Sequence, residues 1–134
     1  MKKFLTLLFI LSIHCVQASD MTSCMIDLNR NGGQTGMGAY KLCDQNKSPD
    51  FIKCVVRLYR EGSQSGQNAG KVCLENSSPA LVDCIIRTYR NAGLSGKQAA
   101  KNCLINPSPE YANCVIAIFH EGVLPGTQAA QACH

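Results

Sequence analysis

Eight cysteines are spaced so regularly that few folds can accommodate them. They are Cys24, Cys43, Cys54, Cys73, Cys84, Cys103, Cys114 and Cys133, separated alternately by 19 and 11 residues. The rest of the chain keeps the same 30-residue period. CIIRTYRNAGLSGKQAAKNCLINPSPEYAN, from Cys84 to Asn113, falls on CVVRLYREGSQSGQNAGKVCLENSSPALVD, from Cys54 to Asp83, and further copies lie on either side. A unit this short cannot bury a core alone. Four copies therefore predict a stacked repeat array.

Each unit reads as two helices. In the second unit Ser48 is placed as an N-cap and Pro49 at the first helical position, where a missing N–H is harmless. Asp50 follows on the favourable side of the helix dipole. Phe51, Cys54, Val55, Leu58 and Tyr59 recur at helical spacing and form one apolar stripe, widened by Ile52 and Val56. Lys53, Arg57 and Arg60 fall opposite it. Gly62 is expected to end the helix in a left-handed conformation. A second helix starts near Ser65-Gly66, with Ala69, Val72 and Cys73 inward, and stops at Asn76, a residue that tolerates the left-handed position. Ser78-Pro79 then opens the next unit. No stretch reads as a strand. The fold class is all-α: a short α-solenoid of four disulfide-linked helical hairpins.

Two regular cysteine pairings are open, within each hairpin or across the connection between units. Cys54 lies eight residues before Gly62 and Cys73 eight after Ser65, so antiparallel helices set both ~12 Å from the turn at ~1.5 Å per residue. The small residues Ala39, Ala69, Ala99 and Ala129 let the two helices approach. Pairing within the hairpin also uses all eight cysteines, whereas pairing between units strands Cys24 and Cys133. We expect Cys24–Cys43, Cys54–Cys73, Cys84–Cys103 and Cys114–Cys133. Each would close a loop contributing roughly 3 kcal/mol in the chain-entropy model.

The first 18 residues read differently. Met1-Lys2-Lys3 is a positive n-region, Phe4 to Ile13 an apolar core too short for a comfortable membrane span, and Val16-Gln17-Ala18 a cleavage site. Lipidation at Cys15 is the competing reading, but it calls for a small residue where His14 stands. The expectation is a signal peptide at 1–18 and one repeat domain at 19–134, in units of approximately 19–47, 48–77, 78–107 and 108–134. Without Lys2 and Lys3 the chain carries eleven basic and nine acidic residues. That balance is too mild to imply nucleic acid. A leader and an even cysteine count place the mature chain in the periplasm or outside the cell, with no transmembrane segment.

Motifs that carry chemistry are scarce. Zinc sites use closely paired ligands, and no two of these eight cysteines lie nearer than 11 residues. The same spacing excludes C-x-x-C redox and haem motifs, so no metal and no cofactor is expected. His120 holds the outward register of Arg30, Arg60 and Arg90, and His134 is the last residue of the sequence. No Ser-His or paired-carboxylate arrangement recurs, and no catalytic residue is assigned. Asn46-Lys47-Ser48 and Asn76-Ser77-Ser78 match the glycosylation pattern; after a bacterial-looking leader both are read as coincidence.

Basic residues recur in three registers: Arg30, Arg60 and Arg90; Arg57 and Arg87; Lys41, Lys71 and Lys101. Stacked, each becomes a ladder with rungs ~10 Å apart. One reading is a solvated face paired with Glu61, Glu75 or Asp83. The other makes Arg57, Arg60, Arg87 and Arg90 a binding face for an acidic protein, an anionic glycan or lipid headgroups, since guanidinium grips such groups in a two-pronged way. Thr22, Ser23, Asp27, Asn29 and Asn31 read as a polar cap on the first unit. Ile118, Val123 and Leu124 read as an apolar last unit, suited to a homodimer.

The hairpins resemble those of tetratricopeptide and Sel1-like repeats, above all the secreted bacterial cysteine-rich Sel1-like proteins. The resemblance lies in the Cys54–Cys73 hairpin, the Gly62 and Ala69 positions and Pro79 at the unit boundary. It implies an extracytoplasmic interaction scaffold and transfers no functional residue. The leading expectation is a non-catalytic module binding a protein partner. The alternatives are an enzyme, a hydrolase with a site assembled across repeats, and a disulfide-stabilised toxin or inhibitor acting at membranes. Non-reducing peptide mapping of the oxidised protein should return the four hairpin bridges; a Cys43–Cys54 peptide would overturn the pairing.

Overall fold

The computed structural model describes residues 20–134. The expected leader and Cys15 lie outside them. The described residues form eight helices and no strand: α1 over 20–31, α2 Gly36–Gln45, α3 Pro49–Glu61, α4 Gly66–Glu75, α5 Pro79–Asn91, α6 Gly96–Ile105, α7 Pro109–His120 and α8 Gly126–Ala132. They pair as four hairpins, α1/α2 to α7/α8. The first helices α3, α5 and α7 pack side by side, more closely than the second helices of neighbouring units do.

The disulfides join Cys24 to Cys43, Cys54 to Cys73, Cys84 to Cys103 and Cys114 to Cys133, with Cα atoms 5.9–6.0 Å apart. Such bridges belong to an oxidising compartment. Ala39, Ala69, Ala99 and Ala129 are fully buried beside them. One continuous core runs through all four units. Phe51, Val55 and Leu58 of α3 meet Leu81, Ile85 and Val82 of α5, then Tyr111 and Val115 of α7. Thr88 takes the core register of Leu28 and Leu58; its hydroxyl is satisfied by donating to the Cys84 carbonyl at 2.8 Å. Tyr111 is buried too, donating to the Ala130 carbonyl at 3.3 Å, and burial raises its phenol above the usual value.

The helix starts follow the expected chemistry. Ser48, Ser78 and Ser108 accept from the amides of Phe51, Leu81 and Tyr111. Thr35, Ser65 and Ser95 cap the second helices in the same way. The helix ends differ from expectation in two respects. Asn46, Asn76 and Asn106 are extended, not left-handed. Each turns its side-chain oxygen onto the amide of Ser48, Ser78 or Ser108, which bends the chain straight into the next cap. Gly62 also has a negative φ; the left-handed residue comes one position later, at Gly33, Ser63 and Gly93. There the amides of Gln34 and Gln64 reach back to the carbonyls of Leu28 and Leu58, a Schellman closure.

The last unit shows why that position matters. Val123 stands in the register of Gly33 and Gly93, and a β-branched residue is badly strained at positive φ. Helix α7 accordingly stops one residue early, and Gly122 takes the left-handed conformation at φ 68°. Pro125 replaces the capping hydroxyl, and α8 shrinks to 7 residues. Ser63, at φ 53°, is the strained member of the series. Ser63→Gly should raise stability by about 0.5–1 kcal/mol after the extra entropy of glycine in the unfolded chain is counted. Gly33→Ala should lower it further than Ser63→Gly raises it, because the new Cβ would lie 2.4 Å from the Tyr59 ring. Thermal melts of the oxidised protein check both.

Candidate functional site

The layer of first helices presents Lys53, Arg57 and Arg60 from α3, and Asp83, Arg87 and Arg90 from α5. The four arginines singled out as a binding face are all tied between units. Arg57 reaches forward to Asp83 at 2.9 Å and touches Glu61 at 3.5 Å in its own helix. Arg87 makes the equivalent forward bond to Asn113. Arg60 reaches back to Asn31 at 2.5 Å, and Arg90 back to Glu61 at 3.7 Å. Asp83, Arg57, Glu61 and Arg90 thus form one chain of charges across the second and third units. Burial alone would lower the Arg57 pKa; the hydrogen bond and charge of Asp83, with Glu61 behind, outweigh it and hold the guanidinium above its ordinary value.

The same pair of positions carries reversed charge at the first junction. Asp27 stands where Arg57 does, and Lys53 where Asp83 does. Asp27 and Lys53 make no ion pair with each other, although the equivalent pair at the next junction closes at 2.9 Å. Lysine is a flexible point charge without the planar fork that lets arginine span to a carboxylate. The consequence is a change in shape. Between α3 and α5, beside Arg57, the groove holds only about 80 Å³. Between α1 and α3 a cleft of about 560 Å³ stands open, within the size range of ligand sites. Its floor is Ile52, Val56 and Pro49. Asp20, Ser23, Asp27 and Asn31 form one wall, and Lys47 and Lys53 the other.

Sequence reasoning passed over this cleft, although the sign reversal at positions 27 and 53 was readable. Of the five residues read as a polar cap, Thr22 and Asn29 are exposed, Asn29 at the outer end, but Ser23, Asp27 and Asn31 are not on that end. Ser23, Asp27 and Asn31 face α3, while the outer end exposes Ile26, Met37 and Tyr40. Which flank of a helix meets the next unit depends on the direction of stacking, and that is a tertiary property. At the other end Ile118 and Leu124 are packed, half-buried, against the core, and Val123 is exposed. His120 is exposed, edge-on to the Phe119 ring at 6.0 Å, and His134 stacks on Tyr111 at 4.7 Å. Neither histidine borders the cleft. No helix among the described residues is long and apolar enough to cross a membrane.

Comparison with protein-family models, curated proteins and solved structures finds no match to this chain. The class is therefore set by the fold alone: a disulfide-linked array of helical hairpins. Its charge ties should be modest contributors to stability. Arg57→Ala removes two carboxylate contacts at a partly exposed site and should cost about 0.5–1 kcal/mol at low salt, less at high salt. Melting curves at two ionic strengths check this.

Proposed function

We propose that the protein is a non-catalytic binding module of the periplasm or the cell exterior, released by cleavage after Ala18, that holds a segment of a partner protein in the α1/α3 cleft. The observation that carries the reading is the contrast between an open cleft at the first junction and a closed groove at the second, at positions that differ by a charge reversal. The cleft supplies an apolar floor between an acidic wall and a basic wall. A short peptide with an apolar residue flanked by opposite charges would satisfy all three. Asp20 and Asp27 would take its basic side, Lys47 and Lys53 its acidic side. The neighbouring Arg57, Arg60, Arg87 and Arg90 are proposed to steer an acidic partner toward the cleft, a long-range effect that salt weakens.

The test is to close the cleft with the protein's own device. Asp27→Arg with Lys53→Asp copies the Arg57–Asp83 pair into the first junction. Peptides selected from a display library on the oxidised wild-type protein should bind the double variant at least about tenfold more weakly, a loss of about 1.4 kcal/mol. Its melting temperature should hold or rise. Arg60→Ala with Arg90→Ala should weaken binding chiefly at low salt. Peptides that bind the cleft-closing variant as well as wild type would move the site elsewhere.

A further inference from the structure

Successive units meet through a specific seam. Gly66, Gly96 and Gly126 open the second helices hard against the preceding turn. A Cβ there would lie 2.2 Å from the Gly33 carbonyl oxygen, 2.5 Å from that of Ser63 and 1.9 Å from that of Ala92. Gly36 holds the same register, yet among the described residues nothing lies within 4 Å of where its Cβ would be. Arg60 and Arg90 bond back to Asn31 and Glu61. Arg30 holds their register, and its guanidinium makes no hydrogen bond or ion pair among the described residues. At the opposite end of the array Glu121 holds the register of Asn31 and Glu61, and its exposed carboxylate is equally unpaired among the described residues. The first unit thus carries the receiving half of a seam and the last unit an acceptor for it.

We infer that the chain assembles head to tail, the first unit of one copy docking on the last unit of another as the next repeat would. Simple inheritance from a duplicated unit accounts for Gly36 and Arg30. It does not account for two exchanges of size at the ends. Inside the array the α4 position facing the preceding unit is Gly70, whose Cβ would lie 2.7 Å from Leu42. In the first unit that position is Tyr40, 44 % exposed, and in the last unit the Leu42 register holds Ala132. Inside the array the Tyr59 and Phe119 rings lie over the bare turns at Gly33 and Gly93. At the ends the ring position is the short Asn29, and the turn position is Val123, 67 % exposed. Each change in bulk on one end is matched by the opposite change on the other. Ile26, 42 % exposed, adds apolar surface beside them.

Such a contact joins two different patches, so it does not close on itself as a two-fold dimer does, and it propagates into a ring or an open series. It is independent of the cleft, which lies within one chain between α1 and α3. The test is sedimentation velocity of the chain secreted by an oxidising host, over a wide concentration range. Species larger than a dimer should grow in with concentration. Gly36→Leu, placed in open space, should leave melting of the dilute protein unchanged and abolish the larger species. Arg30→Glu or Glu121→Arg should each weaken association by about tenfold or more, and the two together in one chain should restore it. A monomer at every concentration, a dimer and nothing larger, or association untouched by Gly36→Leu would each overturn the inference.

Discussion

Everything in this molecule depends on the closeness of two helices at one height in each hairpin. The disulfide holds Cα atoms 5.9–6.0 Å apart, so the facing residues must be small. Ala39, Ala69, Ala99 and Ala129 meet that need. Small residues bury little apolar area, so the second helices bring little hydrophobic stabilisation of their own. The bulk comes from the first helices, and the bridges supply what a unit of this size lacks. This division of labour also decides where the grooves between units lie. The first-helix layer carries the arginines and the two grooves between units, while the inner faces of the second helices are committed to close approach.

The seam between units follows from the same closeness. Hairpin turns press on the next helix start so tightly that only glycine fits at Gly66, Gly96 and Gly126. The buried side chain of Gln64 crosses the seam to the Gly96 carbonyl at 2.5 Å, and Gln34 does the same to Gly66. In the third unit Leu94 replaces this glutamine and packs instead. The polar and apolar solutions are interchangeable because each leaves no buried side-chain polar atom without a partner among the described residues. The back-reaching ties of Arg60 and Arg90 close the surface edge of the same seam. The arginine ties shape the grooves more than they hold the array together.

The available surfaces are therefore written in departures from the repeat. Where Arg57 and Asp83 follow the pattern, the groove shuts; where Asp27 and Lys53 reverse it, a cleft opens. Where Val123 cannot take a positive φ, the turn closes one residue early and a large apolar side chain is left on the surface. Where Tyr40 stands in place of Gly70, bulk is exposed at the first unit. In each case one or two residues convert an internal contact into an available surface.

The helices, their serine caps, the prolines at their starts and the cysteine pairing were all legible in the chain, because each rests on neighbours within one unit. Ser48 needs only Phe51 three residues on, and Cys54 meets Cys73 through one short turn. Helix ends were less legible. A glycine at Gly62 and another residue at 63 both suit a helix terminus, and hydrogen bonding to Leu58 selects between them. What lay beyond reading was the direction of stacking. Arg57 and Arg60 are three residues apart on one helix, yet one reaches forward to Asp83 and the other back to Asn31. Local periodicity places a side chain on a face of its own helix and is silent on which neighbour that face will meet. That choice is made by packing between units: close enough to admit only glycine at the seam, it turns a row of exposed charges into ties and leaves one junction open.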